Sequence, residues 1–558
     1  MNALRFSLVA TFLIAFAGCG APSTPSESSD AAKSARPTTP AGGPDYGDTI
    51  IEIIDAEPAH MNPILATSDG DSRYMGRYIF ELLLELDLDT FEFKPMLAKS
   101  WEISDDHLTF TFHLDENAQF SDGHPVTTAD VKYTFDMVMD PSNDTGPLRS
   151  YLLDIDEIKP IDEHTITFHA KKPYFGLFAQ VSDVEIYPKH IYEGKNFNDH
   201  PLNRAPVGSG PYVFERWDTG QQIAMTRNEH YWGKKPAYID KRVFRLITDD
   251  EAAFQVVERQ EADLFQNMSP EKFTGRAARP QFEAKFQRLT PDSPVPGFLS
   301  RFNYIGWNMR KPQFADKRVR QALCMLFDRQ SVIDTVWAGL GTIITGSEFH
   351  KLPEYNQNVK PLPFDPEAAK KLLDEAGWTD RDRDGVRENS DGVKLEFELG
   401  FASGVPEYVQ LGAVYQEELT RAGIKCNLNP MEWATFQERV QKRTFDACML
   451  AWLTTVVSDP YQLWHSSQTE TGSNYPGISN AEADKLMEDA RPEFDHEKRV
   501  VLYHRLHEIL HDEQPYLFLY ARPGLVAVDK RFEGVVLHKG GLDPREWWVP
   551  KAKQRYDS

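Results

Sequence analysis

Apolar side chains recur at every second position in several short stretches of this chain, and at helical spacing in the stretches between them. In LTFTFHL, Leu108, Phe110, Phe112 and Leu114 lie on one face, the pattern of a half-buried strand. HTITFHA repeats it with Ile166 and Phe168, and KLEFELGF with Leu395, Phe397, Leu399 and Phe401. IIEIID (Ile50–Asp55) reads as an early buried strand. In FDPEAAKKLLDEAGW, Asp365 can cap a helix, Pro366 fits its first turn and Gly377 can close it, with Ala369, Leu372, Leu373 and Ala376 on one face. Val319, Ala322, Leu323 and Leu326 do the same in DKRVRQALCMLFD. Strands alternating with helices, with hairpins among them, predict a mixed α/β protein. At 558 residues one ordinary core does not suffice, and two or three lobes are expected. No internal repeat is visible.

The chain begins with Arg5 and a mostly apolar run, Phe6 to Gly18, too short to span a bilayer. Residues 1–18 read as a secretory signal. Ala17-Gly18-Cys19 resembles a bacterial lipobox, with Phe16 where leucine is usual; Cys19 would then be acylated and become the mature N-terminus. The alternative is plain secretion with a chance cysteine. Residues 20–44 are rich in Ala, Pro, Ser, Thr and Gly, a composition that cannot offset its ordering entropy and reads as a tether through residue 45.

The formal charge of -24 disfavours nucleic acid as a partner. Of the four cysteines, Cys324, Cys426 and Cys448 remain if Cys19 is lipidated. Cys426 and Cys448 can pair if neighbouring strands carry them; otherwise all three are buried free thiols.

The sharpest enzymatic pattern is HEILH, His507 to His511. HExxH on a helix can bring two imidazoles to one zinc, with Glu508 as general base. The apolar stripe Leu502, Leu506 and Ile509 puts His504, His507 and His511 on the opposite side, so the pattern reads as a solvated helix face, with His507 and His511 as weak metal candidates. DRDRDGVRE resembles the first half of a calcium loop in Asp380, Asp382, Asp384 and Gly385, but Asp391 stands at the twelfth position and a strand follows; a polar turn explains it. There is no GxSxG, P-loop or GxGxxG. Trp452, Asp459, Tyr461 and Trp464 cluster after an apolar strand, the kind of aromatic wall that suits a small-molecule pocket.

VGSGPYVFERWDTGQQIAMTRNEHYWGKKPAYIDKRVFRLITDDEAAFQVVERQEADLF (Val207–Phe265) resembles the signature of the family 5 extracellular solute-binding proteins, the peptide- and nickel-binding components of ABC importers. ELLLELDLDTFEFKPMLAKSWEISDDHLTFTFHLDENAQFSDGHPVTTADVKYTF, YIGWNMRKPQFADKRVRQALCMLFDRQSVI and FDPEAAKKLLDEAGWTDRDRDGVRE agree in the same order, so the resemblance covers about 48–550. It implies a periplasmic-binding-protein-like class II Venus-flytrap: a first lobe of 46–75, 205–298 and 524–558, an inserted domain of 76–204 and a second binding lobe of 299–523. It also implies no catalysis and no cofactor, and a monomer that serves an ABC permease from a lipid anchor on the membrane.

The family's GW…DP segment matches Ala451-Trp452…Asp459-Pro460, making Trp452 a ligand contact by resemblance. By that resemblance, peptide binders typically carry an aspartate three residues after that tryptophan, pairing with the peptide ammonium; here the position is Thr455, or Val456 when aligned from the DP end, neither able to form an ion pair, and Asp459 is the possible substitute. Tyr520, and Thr67 and Ser68 after Asn62-Pro63, match segments that reach the cleft. Gly208, Gly210 and Pro211 read as backbone-shaping, and Tyr231 and Trp232 as core. The expected cargo is a small solute, a peptide or peptide-like molecule. A metal chelate, opine or oligosaccharide in the same fold, an exported zinc peptidase, and a receptor that signals without transport are the alternatives.

Overall fold

The computed structural model describes residues 43–65, 70–234, 237–293, 298–470 and 472–556. Its centre is a seven-stranded sheet in the order Phe286–Leu289, Val526–Asp529, Leu264–Phe265, Thr49–Ile54, Lys241–Leu246, Gln222–Arg227, Tyr212–Asp218. The TIIEII strand runs parallel to both of its neighbours and is buried from Ile50 to Ile54. A β-branched run covered on both faces suits that central place.

Between the first strand of this sheet and Tyr212–Asp218 the chain builds a separate antiparallel sheet, Ala98–Ile103, Thr109–Leu114, Thr165–Ala170 and Ile155–Pro160 in that order. Phe110 pairs with Phe168 and Phe112 with Ile166, all four fully buried, so the alternation in LTFTFHL and HTITFHA marks one shared core face. The VGSGPY turn returns the chain to the first sheet. A Cβ at Gly208 would lie 2.2 Å from the Ile79 carbonyl oxygen, and Gly210 N–H donates to that oxygen at 2.7 Å. Only glycine permits so close an approach.

A six-stranded sheet follows, ordered Thr342–Ile343, Tyr516–Arg522, Ser300–Trp307, Ala447–Thr454, Glu396–Ala402, Lys425–Met431. One face is covered by Lys317–Met325, Pro366–Glu375 and Pro406–Arg421. Asp316 and Asp365 cap the first two of these helices, accepting from Arg318 N–H at 2.9 Å and Ala368 N–H at 3.0 Å. The other face packs on Ala481–Ala490 and His496–Glu513.

The chain crosses from the first sheet to the second between Leu289 and Ser300 and returns between Arg522 and Val526. The two connections meet where Gly524 N–H donates to the Pro291 carbonyl at 2.8 Å. The returning strand brings Arg531 into a buried ionic knot with Asp48 and Asp263, the latter at 2.9 Å. Both carboxylates are inaccessible to solvent, so the knot clamps the beginning of the first sheet to its end.

All three cysteines in the described residues are buried free thiols. Cys426 and Cys448 do not lie on neighbouring strands, because Glu396–Ala402 runs between theirs. One intervening strand puts about 9–10 Å between them, beyond the reach of a disulfide.

Candidate functional site

The crossings meet the second sheet at one end, where Arg301 and Arg522 face each other across adjacent strands. Two positions inward from Arg301, Asn303 stands opposite Tyr520. The period-two rule puts Arg301 and Asn303 on one face, beside Arg522 and Tyr520. Trp337, which ends the Arg329–Val336 helix, lies under the Arg522 guanidinium at 4.7 Å from its ring centroid. Leu340, just beyond, packs on the core of the first sheet.

Among the described residues, neither guanidinium has a carboxylate within ion-pairing distance. Burial, and after it the Arg301 charge, push Arg522 down to about 10, although the Glu407 charge acts on it from farther off. The Asn303 amide oxygen accepts from Tyr408 at 3.3 Å, but its buried Nδ2 has no partner. The Tyr520 hydroxyl and the Trp337 indole N–H are both buried; neither makes a hydrogen bond of good geometry, and the Trp337 N–H acts on the Tyr520 oxygen. The two guanidiniums and the Asn303 Nδ2 therefore converge here without a carboxylate. Sequence reasoning missed Arg301 and Arg522; the available signal was a cation in phase with the buried faces of SRFNYIGW and YLFLYAR.

Trp452 sits on the other face, half-buried among tyrosines. It is stacked at 6.0 Å from Tyr475 and 6.5 Å from Tyr304, and its indole N–H donates to Tyr516 at 3.4 Å. Thr455 is exposed, its hydroxyl donating to the Val457 carbonyl at 3.1 Å. Asp459, expected as the substitute anion for a ligand's ammonium, has protein partners instead. Its Oδ2 accepts from Arg491 Nη2 at 2.7 Å and from Tyr174 at 2.8 Å, and Oδ1 accepts from Tyr461 N–H at 3.0 Å. Tyr520 is fully buried, its hydroxyl included, on the same face of the sheet as the arginine pair. Thr67, Ser68 and Cys19 lie outside the described residues.

The HExxH helix, His496–Glu513, differs from the expected solvated face. His507 is buried alongside Tyr503, Leu506, Ile509 and Leu510. Its Nδ1 accepts from Asn356 N–H at 3.2 Å, and its Nε2 lies 2.9 Å from the Thr345 hydroxyl. With both ring nitrogens engaged, His507 has none left for zinc, and it forms no cluster with His511 among the described residues. The helix turns this side inward because the 345–356 loop covers it. Asp380, Asp382 and Asp384 do converge, but the Lys394 ammonium pairs with Asp382 at 2.7 Å and Asp384 at 3.0 Å and so already neutralises part of their charge.

Tyr231 and Trp232 point their polar ends at buried Glu81, donating at 2.7 and 2.8 Å; burial raises that carboxyl to about 7. A cavity of about 510 Å³ opens beside them, lined by residues 116–125 and 229–232, none from the second sheet. It belongs to the junction of the insert with the first sheet.

The profile described as bacterial extracellular solute-binding proteins, family 5 Middle, matches residues 92–474. The chain is 28% identical to the oligopeptide-binding protein AppA of Bacillus subtilis over 557 residues, 98% of this chain and 97% of that protein. It is 25% identical to the dipeptide-binding protein of Escherichia coli over 528 residues, 88% and 92% of the two chains. The solved structure of Bacillus subtilis AppA with a nonapeptide superposes with a TM-score of 0.78 at 27% identity, covering 91% of this chain and 100% of that one. The two sheets joined by paired crossings are the two lobes of the class II binding-protein fold. Among the described residues, no helix is long and apolar enough to cross a membrane. The chain belongs to the bacterial extracellular solute-binding proteins of family 5.

Proposed function

We propose that this protein is a lipid-anchored receptor that captures peptides or peptide-like solutes between its lobes and hands them to an ABC importer. The observation that carries this reading is the pair of adjacent crossings, 289–300 and 522–526, with a donor-rich sheet end beside them. Two connections that meet at Pro291 and Gly524 would let the lobes rotate about one axis, and a solute bound to both lobes favours the closed state. In this reading the first lobe is 46–75, 205–298 and 524–558, the insert is 76–204 and the second lobe is 299–523. Trp452 and the Tyr520 hydroxyl contribute from the second lobe, and Thr67 and Ser68 from the first. Relatives named for oligopeptide and dipeptide binding support peptides as cargo. The engaged Asp459 and the neutral Thr455 favour one second reading: a non-peptide solute that needs no ammonium partner there.

Mass spectrometry of cargo released from the purified full chain tests the choice. A heterogeneous set of short peptides is expected; one defined non-peptide mass would favour the second reading. Anchoring through Cys19 predicts that Cys19→Ala moves the protein from the membrane to the soluble fraction, and persistence in the membrane would remove the lipid anchor from the proposal.

A further inference from the structure

Arg301 and Arg522 stand on paired residues of adjacent strands with no counterion among the described residues. Like charges directly opposite each other in a sheet destabilise it. Half-burial makes this worse, because the surrounding medium screens the repulsion less than water would. Two buried donors close by are also without an acceptor: Asn303 Nδ2 and the proton of the Tyr520 hydroxyl, whose oxygen faces the Trp337 indole N–H. An unmade bond to a buried donor is costly, and native interiors rarely leave several together. Every unmet group here can donate, so what is missing is one compact, acceptor-rich anion. A planar carboxylate meets the guanidinium fork with two parallel hydrogen bonds and still has lone pairs for an amide or hydroxyl donor.

We propose that Arg301, Arg522, Asn303 and Tyr520 form a carboxylate subsite for the bound solute at the crossing end of the second lobe. Glu407, in the first turn of the Pro406–Arg421 helix, is near enough to act on Arg522 but not to pair with it. The carboxylate is either a peptide's C-terminus or an acidic side chain. This inference rests on the solute-receptor reading and names the chemistry which that receptor selects.

The test uses the full chain, stripped of cargo by unfolding and refolding. Binding is measured by calorimetry with trialanine, its C-terminal amide, and Ala-Glu-Ala amide; succinate is added at millimolar concentration in a melting assay. The wild type is expected to bind trialanine about 10- to 100-fold more tightly than the amide, the range for one charge-assisted pair. Arg522→Met and Arg301→Met should shrink that ratio to about twofold, and Arg522→Lys should keep part of it. Recovery of affinity by Ala-Glu-Ala amide would assign the subsite to a side chain; no recovery would assign it to the C-terminus.

The empty Met variants should melt no lower than wild type, since each loses a repelling charge. A lower melting point with the acid-to-amide ratio preserved would mean that the arginines are structural and overturn the subsite. Equal binding of acid and amide by the wild type would overturn it too, while leaving the receptor reading in place. If no peptide binds but succinate raises the wild-type melting point and not that of Arg522→Met, the subsite holds and the peptide reading falls. If no carboxylate has any effect on the wild type, the subsite is wrong.

Discussion

Asp459 and Arg491 form an ion pair at 2.7 Å, and Tyr174, carried by the insert, donates to the same carboxylate oxygen. The insert and the second lobe thus share one charged contact, reinforced by Phe175 N–H donating to the Arg491 carbonyl at 2.9 Å. The Asp459 side chain is only 8% exposed, so its cation matters more than a surface partner would. Arg491→Met is expected to cost about 3 kcal/mol in urea unfolding, and Tyr174→Phe about 1 kcal/mol. A neutral Arg491→Met would mean that water or another donor satisfies Asp459.

The Arg531 knot should be costlier to break. Removing the guanidinium strands the carboxylates of Asp48 and Asp263, both inaccessible. Arg531→Met is predicted to destabilise by about 3–5 kcal/mol. Asp263→Asn in the same background should restore part of that, giving a non-additive double-mutant cycle. Strict additivity would show that the two residues are not energetically coupled.

His507 makes stability depend on pH. Burial lowers its imidazole from 6.5 to about 4. The unfolded chain therefore takes up the proton first as pH falls. Its contribution is fully present above about pH 6.5 and is lost progressively toward pH 4, at about 1.4 kcal/mol per pH unit. His507→Gln should flatten the fall in unfolding free energy between pH 6.5 and 5 by about 2 kcal/mol. Parallel curves for variant and wild type would exclude His507 as the source.

The thiols offer a simple count. Burial pushes Cys324, Cys426 and Cys448 each up to about 12. A thiol held protonated and enclosed does not react with a disulfide reagent. In Cys19→Ala protein the native chain should show no reactive thiol at pH 8, and the unfolded chain three. One reactive thiol after unfolding would mean that Cys426 and Cys448 are joined.

The period-two strands and the capped helices were legible because both are local: Phe110, Phe112 and Asp365 act on near neighbours or on one shared face. The family resemblance supplied the two-lobe fold class. The sites were less legible because they depend on pairing between distant segments. Nothing near Asp459 in sequence announces Arg491 or Tyr174. The Leu502, Leu506 and Ile509 stripe implied a solvated His507, yet the 345–356 loop folds over that side and supplies Thr345 and Asn356 as partners. Arg301 and Arg522 become a pair only through strand registry across the crossings.

The position of Val526–Asp529 inside the first sheet sets an order of events during folding. The second lobe draws its strands from one continuous stretch, Ser300 to Arg522, and can close its core as soon as that stretch has emerged. The first sheet cannot, because Leu264–Phe265 and Phe286–Leu289 both pair with a strand near the C-terminus, and Asp48 waits for Arg531. Its contacts are the longest-range in the chain and form last. A chain interrupted before residue 526 would carry a complete second sheet and an open β-edge on the first, the kind of edge that invites pairing with another chain.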